Sequence, residues 1–130
     1  MQDAPEYTDV VAEVREFLAE RVKCCDSAGM EPDKILLDPG FGFGKRLEDN
    51  LQLLKHLGTI VALGKPVIAG LSRKSMLGQI TGLPVDRRIH ASVTAALLAA
   101  SRGASLLRVH DVAATVEALA VLTALARCDT

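Results

Sequence analysis

Apolar residues recur at helical spacing along four long stretches of the chain, with polar residues at most positions between them. In the first stretch the predicted core face includes Val14, Phe17 and Leu18. Each stretch opens at or near a residue that can cap a helix. Residues 1–7 are predicted to form a lead-in loop. The predicted helices run from Thr8 or Asp9 to Gly29, from a cap at Asp49 or Asn50 to Gly58, from Val85–Asp86 to Gly103 with Asp86 as cap, and from Asp111 as cap to about Arg127, with a short helix between Ser75 and Gly82.

The last two long helices are strongly apolar. The predicted inner stripe of the first of them is Ile89, Val93, Leu97 and Ala100. The final helix is apolar almost all round, from Val112 to Leu125. A helix that is apolar on every side needs a second surface to bury it, which indicates a partner subunit.

Three short apolar runs alternate with the helices and are predicted to be strands. Ile35 to Leu37 is a continuous apolar run, typical of a strand covered on both faces. Pro66 to Leu71 has its proline at the first position, where a missing N–H is tolerated, and Ala104 to Val109 is the third run. A hydrophobic segment from Ile60 to Leu63 precedes the second strand. This alternation predicts an α/β fold with parallel strands and right-handed crossovers.

A glycine-rich loop follows the first predicted strand. Asp38 lies where the strand leaves the core, and Pro39 cannot continue a ladder. Phe41 and Phe43 alternate with glycines that allow the backbone to approach a ligand closely. Those glycines are Gly40, Gly42 and Gly44. Such a loop is typical of a site for a flat ligand, although a structural turn in which Asp38 caps the next segment fits the same spacing.

Each predicted strand carries polar side chains at its carboxyl end, the edge at which parallel α/β folds bind ligands. These are Asp38, then Ser72 and Lys74, then Arg108 and His110. Asp38 can accept two N–H groups of a planar heterocycle. Arg108 can hold a phosphate bidentately, with His110 on the same face of the strand. Lys74, just before a helix capped by Ser75, predicts an anion site.

Several charged residues have simpler interpretations. Arg108 can pair with a surface acid, and His110 can be a neighbour of the helix cap without a role. Solvated positions are expected for Arg73, Lys45 and Arg46, and no role is expected for His56 or His90.

Composition narrows the classes of function. The 130-residue chain is 49% hydrophobic with a net charge of −1, which suffices for one modest core and does not indicate a nucleic-acid or membrane surface. Its apolar runs are too short to span a bilayer, and residues 1–7 do not have the charged-then-apolar pattern of a leader, so we expect no secretory signal. The cysteines Cys24, Cys25 and Cys128 are odd in number and lack a histidine at zinc spacing, so we expect reduced thiols in a cytoplasmic protein.

Three runs of sequence, LLDPGFGFGK, GLSRKSMLGQ and RVHDV, resemble dihydropteroate synthase in order and spacing, and the opening MQDAPEYTDVVAEV is similar to that family too. The resemblance implies a TIM barrel that works in folate synthesis. Its reaction joins hydroxymethyl-dihydropterin pyrophosphate to p-aminobenzoate and releases pyrophosphate, with Mg²⁺. It also implies that sulfonamides occupy the p-aminobenzoate site.

The resemblance implies a role for each matching residue. Asp38 would bind the pterin's amino and ring N–H groups, and Lys74 would contact the pterin and line the p-aminobenzoate site. Gly42 and Phe43 would border that site. The carboxylate of p-aminobenzoate would meet Ser75, and pyrophosphate would meet Arg108 and His110, with Arg108 beside the pterin ring. Lys74, Arg108 and His110 are the expected catalytic residues.

The resemblance also implies that residues 1–130 are the C-terminal half of a pterin-binding barrel, because three strands cannot close a barrel of eight. The protein ligand of Mg²⁺ would lie in the other half, and no metal ligand is assigned here. We therefore expect an active whole enzyme but an inactive isolated chain. The chain is expected to self-associate, as a homodimer through its last two long helices or by pairing strand edges. A related alternative is the pterin-binding domain of a methyltetrahydrofolate-dependent methyltransferase.

Overall fold

The structure is a computed structural model that describes residues 7–128. It is an α/β protein made mostly of helices. The helices are α1 (Val10–Ser27), α2 (Leu47–Lys55), α3 (Leu57–Val61), α4 (Ser75–Thr81), α5 (Ile89–Ser101) and α6 (Val112–Ala126); the strands are β1 (Ile68–Ala69) and β2 (Leu106–Leu107); 3₁₀ turns lie at Pro32–Lys34 and Val85–Arg87. Apart from Tyr7, the predicted lead-in loop lies outside the described residues.

The sheet is parallel, as predicted, but its ladders are short. β1 pairs with β2, with Ile68 opposite Leu106. Leu37 forms a single parallel bridge on the other side of β1: its N–H donates to the Pro66 carbonyl and its carbonyl accepts the Ile68 N–H, both at 2.9 Å. The predicted strand at residues 35–37 is therefore present as one bridge rather than as a ladder.

One face of this sheet is open. Ile35 and Leu37 are buried, whereas Leu36 between them is 51% exposed. Leu106 on β2 is exposed as well. Because successive side chains along an extended chain point to opposite faces, only one side of this layer is covered. The prediction that residues 35–37 are covered on both faces is wrong for the described part of the chain.

The core lies between the helices and the covered face of the sheet. Leu53 of α2 and Ile60 of α3 are fully buried, and α1 packs on both helices through residues that include Val14 and Leu18. Phe17, expected in this core, is exposed instead.

The second predicted helix is divided in two. α2 ends at Lys55 and α3 begins at Leu57, so the predicted stop at Gly58 is wrong. Ile60, assigned by sequence to a separate hydrophobic segment, is part of α3 and faces the core.

Side-chain caps are fewer than predicted. The Asp9 carboxylate accepts the Ala12 N–H at 3.1 Å, as expected for the start of α1. α2 begins after Arg46, and Asp49 closes its first turn from the third helical position by accepting the Arg46 N–H at 3.1 Å. The other predicted caps form no side-chain cap bond. Asp111 precedes α6 without capping it, Asn50 lies inside α2, and Ser75 is the first residue of α4. The third long helix begins at Ile89 rather than at Val85–Asp86, which form a separate 3₁₀ turn.

Helix α5 turns inward a different face from the one predicted. Its buried residues are Ser92, Ala95, Ala96 and Ala99. The predicted stripe is exposed or only partly buried; it consists of Ile89, Val93, Leu97 and Ala100. Apolar side chains lie on several sides of this helix, so their periodicity carries little directional information. The small residues allow α5 to pack closely on its neighbours, and the larger ones remain outside.

Helix α6 packs on α5 and leaves most of its apolar surface open. Its exposed side chains include Val112, Val116, Val121 and Leu125. The prediction of a final helix that is apolar almost all round is confirmed. Among residues 7–128, no helix combines the length and the apolar character needed to cross a membrane.

Candidate functional site

The glycine loop between the Leu37 bridge and α2 is held by side chains at both ends. Asp38 Oδ1 accepts the Gly40 N–H at 2.9 Å. Asn50 Oδ1 accepts the Gly42 N–H at 2.9 Å, and Asn50 is only 2% exposed. Gly40, Gly42 and Gly44 all have positive φ, between 62° and 89°, which favours glycine. Sequence reasoning treated Asn50 as a possible cap and missed its role as an anchor of this loop.

The two phenylalanines of the loop have opposite environments. Phe41 is 1% exposed and belongs to the core, whereas Phe43 is 71% exposed. The ring of Phe43 faces the amine of Lys74, with Nζ 5.1 Å from the ring centroid. Phe43 is therefore available to a ligand, and Phe41 anchors the loop.

Lys74 crosses from the end of β1 to the glycine loop. Its Nζ donates to the Phe41 carbonyl at 2.6 Å, and a methyl group added at Gly42 would lie 3.3 Å from its Cδ. Burial lowers the pKa of the Lys74 amine, the Arg108 charge lowers it further, and Asp38 opposes the shift. Lys74 therefore joins two separate loops with a partly desolvated amine.

Lys45 is also part of the loop, contrary to the prediction of a solvated charge. Its Nζ donates to the Gly40 carbonyl at 2.8 Å. Burial lowers the pKa of this amine, although Asp38 and Asp49 oppose the shift. Arg46, also expected to be solvated, pairs with buried Asp49 at 3.3 Å.

Arg108 reaches Asp38 across the edge of the sheet, with Nη2 3.3 Å from Oδ2. The alternative that Arg108 pairs with an acid is correct, and the acid is the predicted ligand-binding carboxylate. The guanidinium lies against Gly70, which directly follows β1. A Cβ added at Gly70 would come within 2.8 Å of Arg108 Nη2. Both groups are substantially exposed, so the pair contributes little stability and remains accessible to a ligand.

Ser72 and His110 form a second pair at the same edge. Ser72 Oγ lies 2.8 Å from His110 Nδ1 and accepts the His110 backbone N–H at 3.3 Å. Ser72 is buried and His110 is exposed. Arg73, which follows Ser72 in sequence, is exposed as expected and also pairs with Asp111 at 3.1 Å.

The carboxyl ends of the three predicted strands thus meet, and we call this edge the rim site. It comprises Asp38, Gly42, Phe43, Lys74, Arg108 and His110. Arg108 contacts Asp38, Lys74 contacts Gly42 and Phe43, and His110 is held at the same edge by Ser72. Ser75 is the exposed first residue of α4, directly after Lys74. His56 and His90 are exposed, and their expected lack of a role stays a prediction.

The rim site is polar but does not form a metal cluster. Among the described residues, no three histidine, cysteine, aspartate or glutamate side chains come together in a way that could hold a metal ion. The site offers one carboxylate, two cations and one imidazole. That set suits a ligand with a flat N–H-bearing ring and an anionic group.

Comparison with known proteins places this geometry in a family. Dihydropteroate synthase of Escherichia coli (strain K12) is 46% identical over 124 residues, which is 95% of this chain and 44% of that enzyme. The structure of dihydropteroate synthase from Xanthomonas albilineans in complex with 7,8-dihydropteroate is 54% identical with a TM-score of 0.94, over 98% of this chain and 49% of the other. The structure of that enzyme with 4-aminobenzoic acid is 56% identical with a TM-score of 0.94, over 97% and 46%.

The chain spans about half the length of these relatives. The family model for pterin binding enzymes matches residues 1–110, a range that includes every residue of the rim site. The chain belongs to the pterin binding enzyme family.

Proposed function

We propose that this chain supplies the C-terminal half of a dihydropteroate synthase, the transferase of folate biosynthesis. The reaction condenses 6-hydroxymethyl-7,8-dihydropterin pyrophosphate with p-aminobenzoate to give dihydropteroate and pyrophosphate. The observation that carries this proposal is the meeting of Asp38, Lys74 and Arg108 at one edge, in a chain about half of whose residues are identical to those of dihydropteroate synthases.

The pterin is assigned to Asp38. Its two carboxylate oxygens each accept one protein hydrogen bond, from Gly40 and from Arg108. A carboxylate has about four lone-pair positions, so two acceptor positions remain for the amino and ring N–H groups of a pterin. Lys74 and Phe43 then border the next part of the site, where p-aminobenzoate binds against Gly42. The Xanthomonas structures with 7,8-dihydropteroate and 4-aminobenzoic acid support this choice of ligands.

The displacement forms one bond and breaks one. The arylamine nitrogen attacks the exocyclic methylene carbon of the pterin, a C–N bond forms, the C–O bond breaks, and pyrophosphate departs with the electron pair. The nitrogen then loses one proton to pyrophosphate or water, which gives the neutral secondary amine of dihydropteroate. In this proposal, Arg108 and His110 stabilise the negative charge on the departing oxygens. Ser75, at the start of α4, is assigned to the p-aminobenzoate carboxylate, and sulfonamides would compete there.

Mg²⁺ belongs to the whole enzyme in this proposal. The described residues provide no cluster suited to hold the ion. When bound, Mg²⁺ would supply charge neutralisation at the pyrophosphate. As the family resemblance implies, its protein ligand is expected in the half of the enzyme that this chain does not match.

We also propose that residues 1–130 form part of a (β/α)₈ barrel. The exposed side chains of Leu36 and Leu106 occupy the open face of the sheet, where a complete barrel would bury them. Three strand positions cannot close such a barrel. Half of the rim is then missing from the chain, and we expect the isolated chain not to make dihydropteroate.

Turnover by the whole protein tests the proposed function. The protein that contains this chain should release pyrophosphate and form dihydropteroate from the two substrates. Pterin binding without pyrophosphate release would favour the methyltransferase alternative and contradict the synthase.

The 130-residue chain alone provides a separate test. Calorimetry with a pterin analogue should detect weak binding at the rim site. Dihydropteroate formation by the chain alone would refute its expected inactivity.

Gly70→Ala should weaken pyrophosphate binding without unfolding the protein. The added Cβ would meet the Arg108 guanidinium at 2.8 Å, and the flexible side chain must move away from Asp38. We expect the affinity of the whole protein for inorganic pyrophosphate, measured by calorimetry, to fall about tenfold, which is a typical loss for one charged hydrogen bond. Gly58→Ala is the matched control, because a Cβ there meets nothing within 4 Å. Equal affinities in both variants would contradict the placement of Arg108.

The chain should self-associate, as a homodimer in our proposal. α6 exposes Val121 and Leu125, each more than 70% exposed, and the sheet has an open face. We expect sedimentation equilibrium at micromolar concentration to give a dimer or larger species, and Val121→Glu to dissociate it if the helices form the contact. A dimer that resists this change would instead use strand edges. A compact, cooperatively folding monomer would contradict the prediction.

A further inference from the structure

We propose that Arg88 and Ser92 are positioning residues that hold the backbone of Arg73 in a left-handed conformation and so place Lys74 in the rim site. This inference rests on the proposed function, because it concerns the same site. Neither residue belongs to the predicted site, and neither contacts the glycine loop in the interactions described above.

The backbone at the end of β1 is strained. Arg73 has φ of 59°, and among residues 7–128 no other non-glycine residue has positive φ. A long side chain disfavours this region, and such a conformation persists only where its surroundings hold it. Arg73 directly precedes Lys74, so its φ and ψ set the direction in which the Lys74 side chain leaves the sheet.

Both backbone polar groups of Arg73 are bound by residues at the start of α5. The Arg73 N–H donates to Ser92 Oγ at 2.9 Å. The Arg73 carbonyl accepts from Arg88 Nη1 at 2.9 Å. Ser92 is 4% exposed, so this hydrogen bond is shielded from water. These two bonds fix both sides of the strained residue.

Arg88 is itself held in place on the opposite side. Its Nε donates to the Leu83 carbonyl at 3.1 Å. Its guanidinium lies on Gly78 of α4 so closely that an added Cβ would collide with it. One side chain therefore joins the end of β1, the helix that follows Lys74 and the loop before α5.

Arg73 also connects to the segment that follows β2. Its guanidinium pairs at 3.1 Å with Asp111, the residue directly after His110. Lys74 then donates from Nζ to the Phe41 carbonyl at 2.6 Å. If Arg73 relaxed to negative φ, the chain would turn away at this point and the Lys74 amine would lose its place opposite Phe43.

Kinetics of the whole protein test this role. Arg88→Ala should lower kcat/KM by about tenfold or more, while Arg87→Ala, the adjacent exposed arginine, should leave it unchanged. Asparagine tolerates positive φ better than arginine, so Arg73→Asn in the Arg88→Ala background should recover part of the loss. A loss that Arg73→Asn leaves unchanged, or no loss in Arg88→Ala, would overturn the proposal. Ser92→Ala removes a single hydroxyl and provides the same test if Arg88→Ala does not fold.

A titration of Lys74 separates this inference from the proposed function. In the 130-residue chain, the pKa of the Lys74 amine can be followed by its ¹³Cε resonance. We expect it to rise toward the ordinary lysine value in Arg88→Ala, because the displaced amine becomes solvated, and to stay unchanged in Arg87→Ala. An unchanged Lys74 titration in Arg88→Ala would overturn the proposal. If the wild-type whole protein does not form dihydropteroate, the proposed function is overturned. The Lys74 titration would then still decide whether Arg88 positions Lys74.

Discussion

Lys74→Ala should remove most of the condensation activity of the whole protein. The amine lies between the glycine loop and the end of β1, where burial lowers its pKa and where it faces the ring of Phe43. A cation fixed in a partly desolvated site contributes far more to catalysis than one in water. We expect kcat/KM for dihydropteroate formation to fall about 100-fold to 1,000-fold, or about 3–4 kcal/mol of transition-state stabilisation.

The matched control for this variant is Lys55→Ala, because Lys55 is an exposed lysine at the end of α2. It removes the same charge and should leave turnover within about twofold of wild type. Thermal unfolding of both variants shows whether the fold is retained. Unchanged turnover in a folded Lys74→Ala protein would contradict both the assigned site and the proposed role of Lys74.

Asp38→Asn should greatly weaken pterin binding. The amide can keep the bond from the Gly40 N–H, because its oxygen can take the position of Oδ1. On the other side it presents an NH₂ donor to Arg108 and to the pterin's own donors, where the carboxylate presented an acceptor. Unpaired donors in a shared site are costly. We expect the dissociation constant of a pterin analogue, measured by calorimetry on the whole protein, to rise about 100-fold.

The comparison variant is Asp33→Asn, in the exposed 3₁₀ turn before Ile35, which should bind the analogue as wild type does. Asp38→Asn also removes the partner of Arg108, so pyrophosphate affinity provides a second measurement. If Asp38→Asn keeps its affinity for pyrophosphate but loses pterin binding, Asp38 contributes to binding of the pterin and not of pyrophosphate. Pterin binding of wild-type strength in Asp38→Asn would refute the assignment.

The order of helices and strands follows from the sequence because it depends on local periodicity. Helix α1 has a capping aspartate before it and Gly29 after it, and α4 is followed by Gly82 in a left-handed conformation, as the sequence predicts. Parallel strands place their carboxyl ends at one edge, so the meeting of Asp38, Lys74 and Arg108 was also predictable from topology. The outer and inner faces of α5 were not predictable, because its apolar residues lie on several sides of the helix and give little direction.

The functions of individual polar residues in the rim site required the tertiary structure. Lys45 and Arg73 have the sequence context of solvated charges, yet Lys45 donates to the Gly40 carbonyl and Arg73 pairs with Asp111. Asn50 looks like a cap and instead anchors the glycine loop from within α2. The Arg73–Asp111 pair joins residues 38 apart, so the packing of whole elements brings them together. The Lys45 and Asn50 bonds are closer in sequence, but they depend on the folded shape of the glycine loop, which residue type alone does not specify.

The sequence by itself determined the alternation of helices and strands, the glycine loop and the polar residues at the strand ends, because each depends on residue type and spacing over a few neighbours. Only the tertiary structure decided which phenylalanine of the loop is buried, that Arg108 pairs with Asp38, and that Arg88 and Ser92 hold the strained Arg73. Arg88 lies 15 residues from Arg73 and Arg108 lies 70 residues from Asp38. Contacts at such separations arise from the packing of whole elements, in which burial and hydrogen bonding across the fold select one arrangement among those that the local pattern allows.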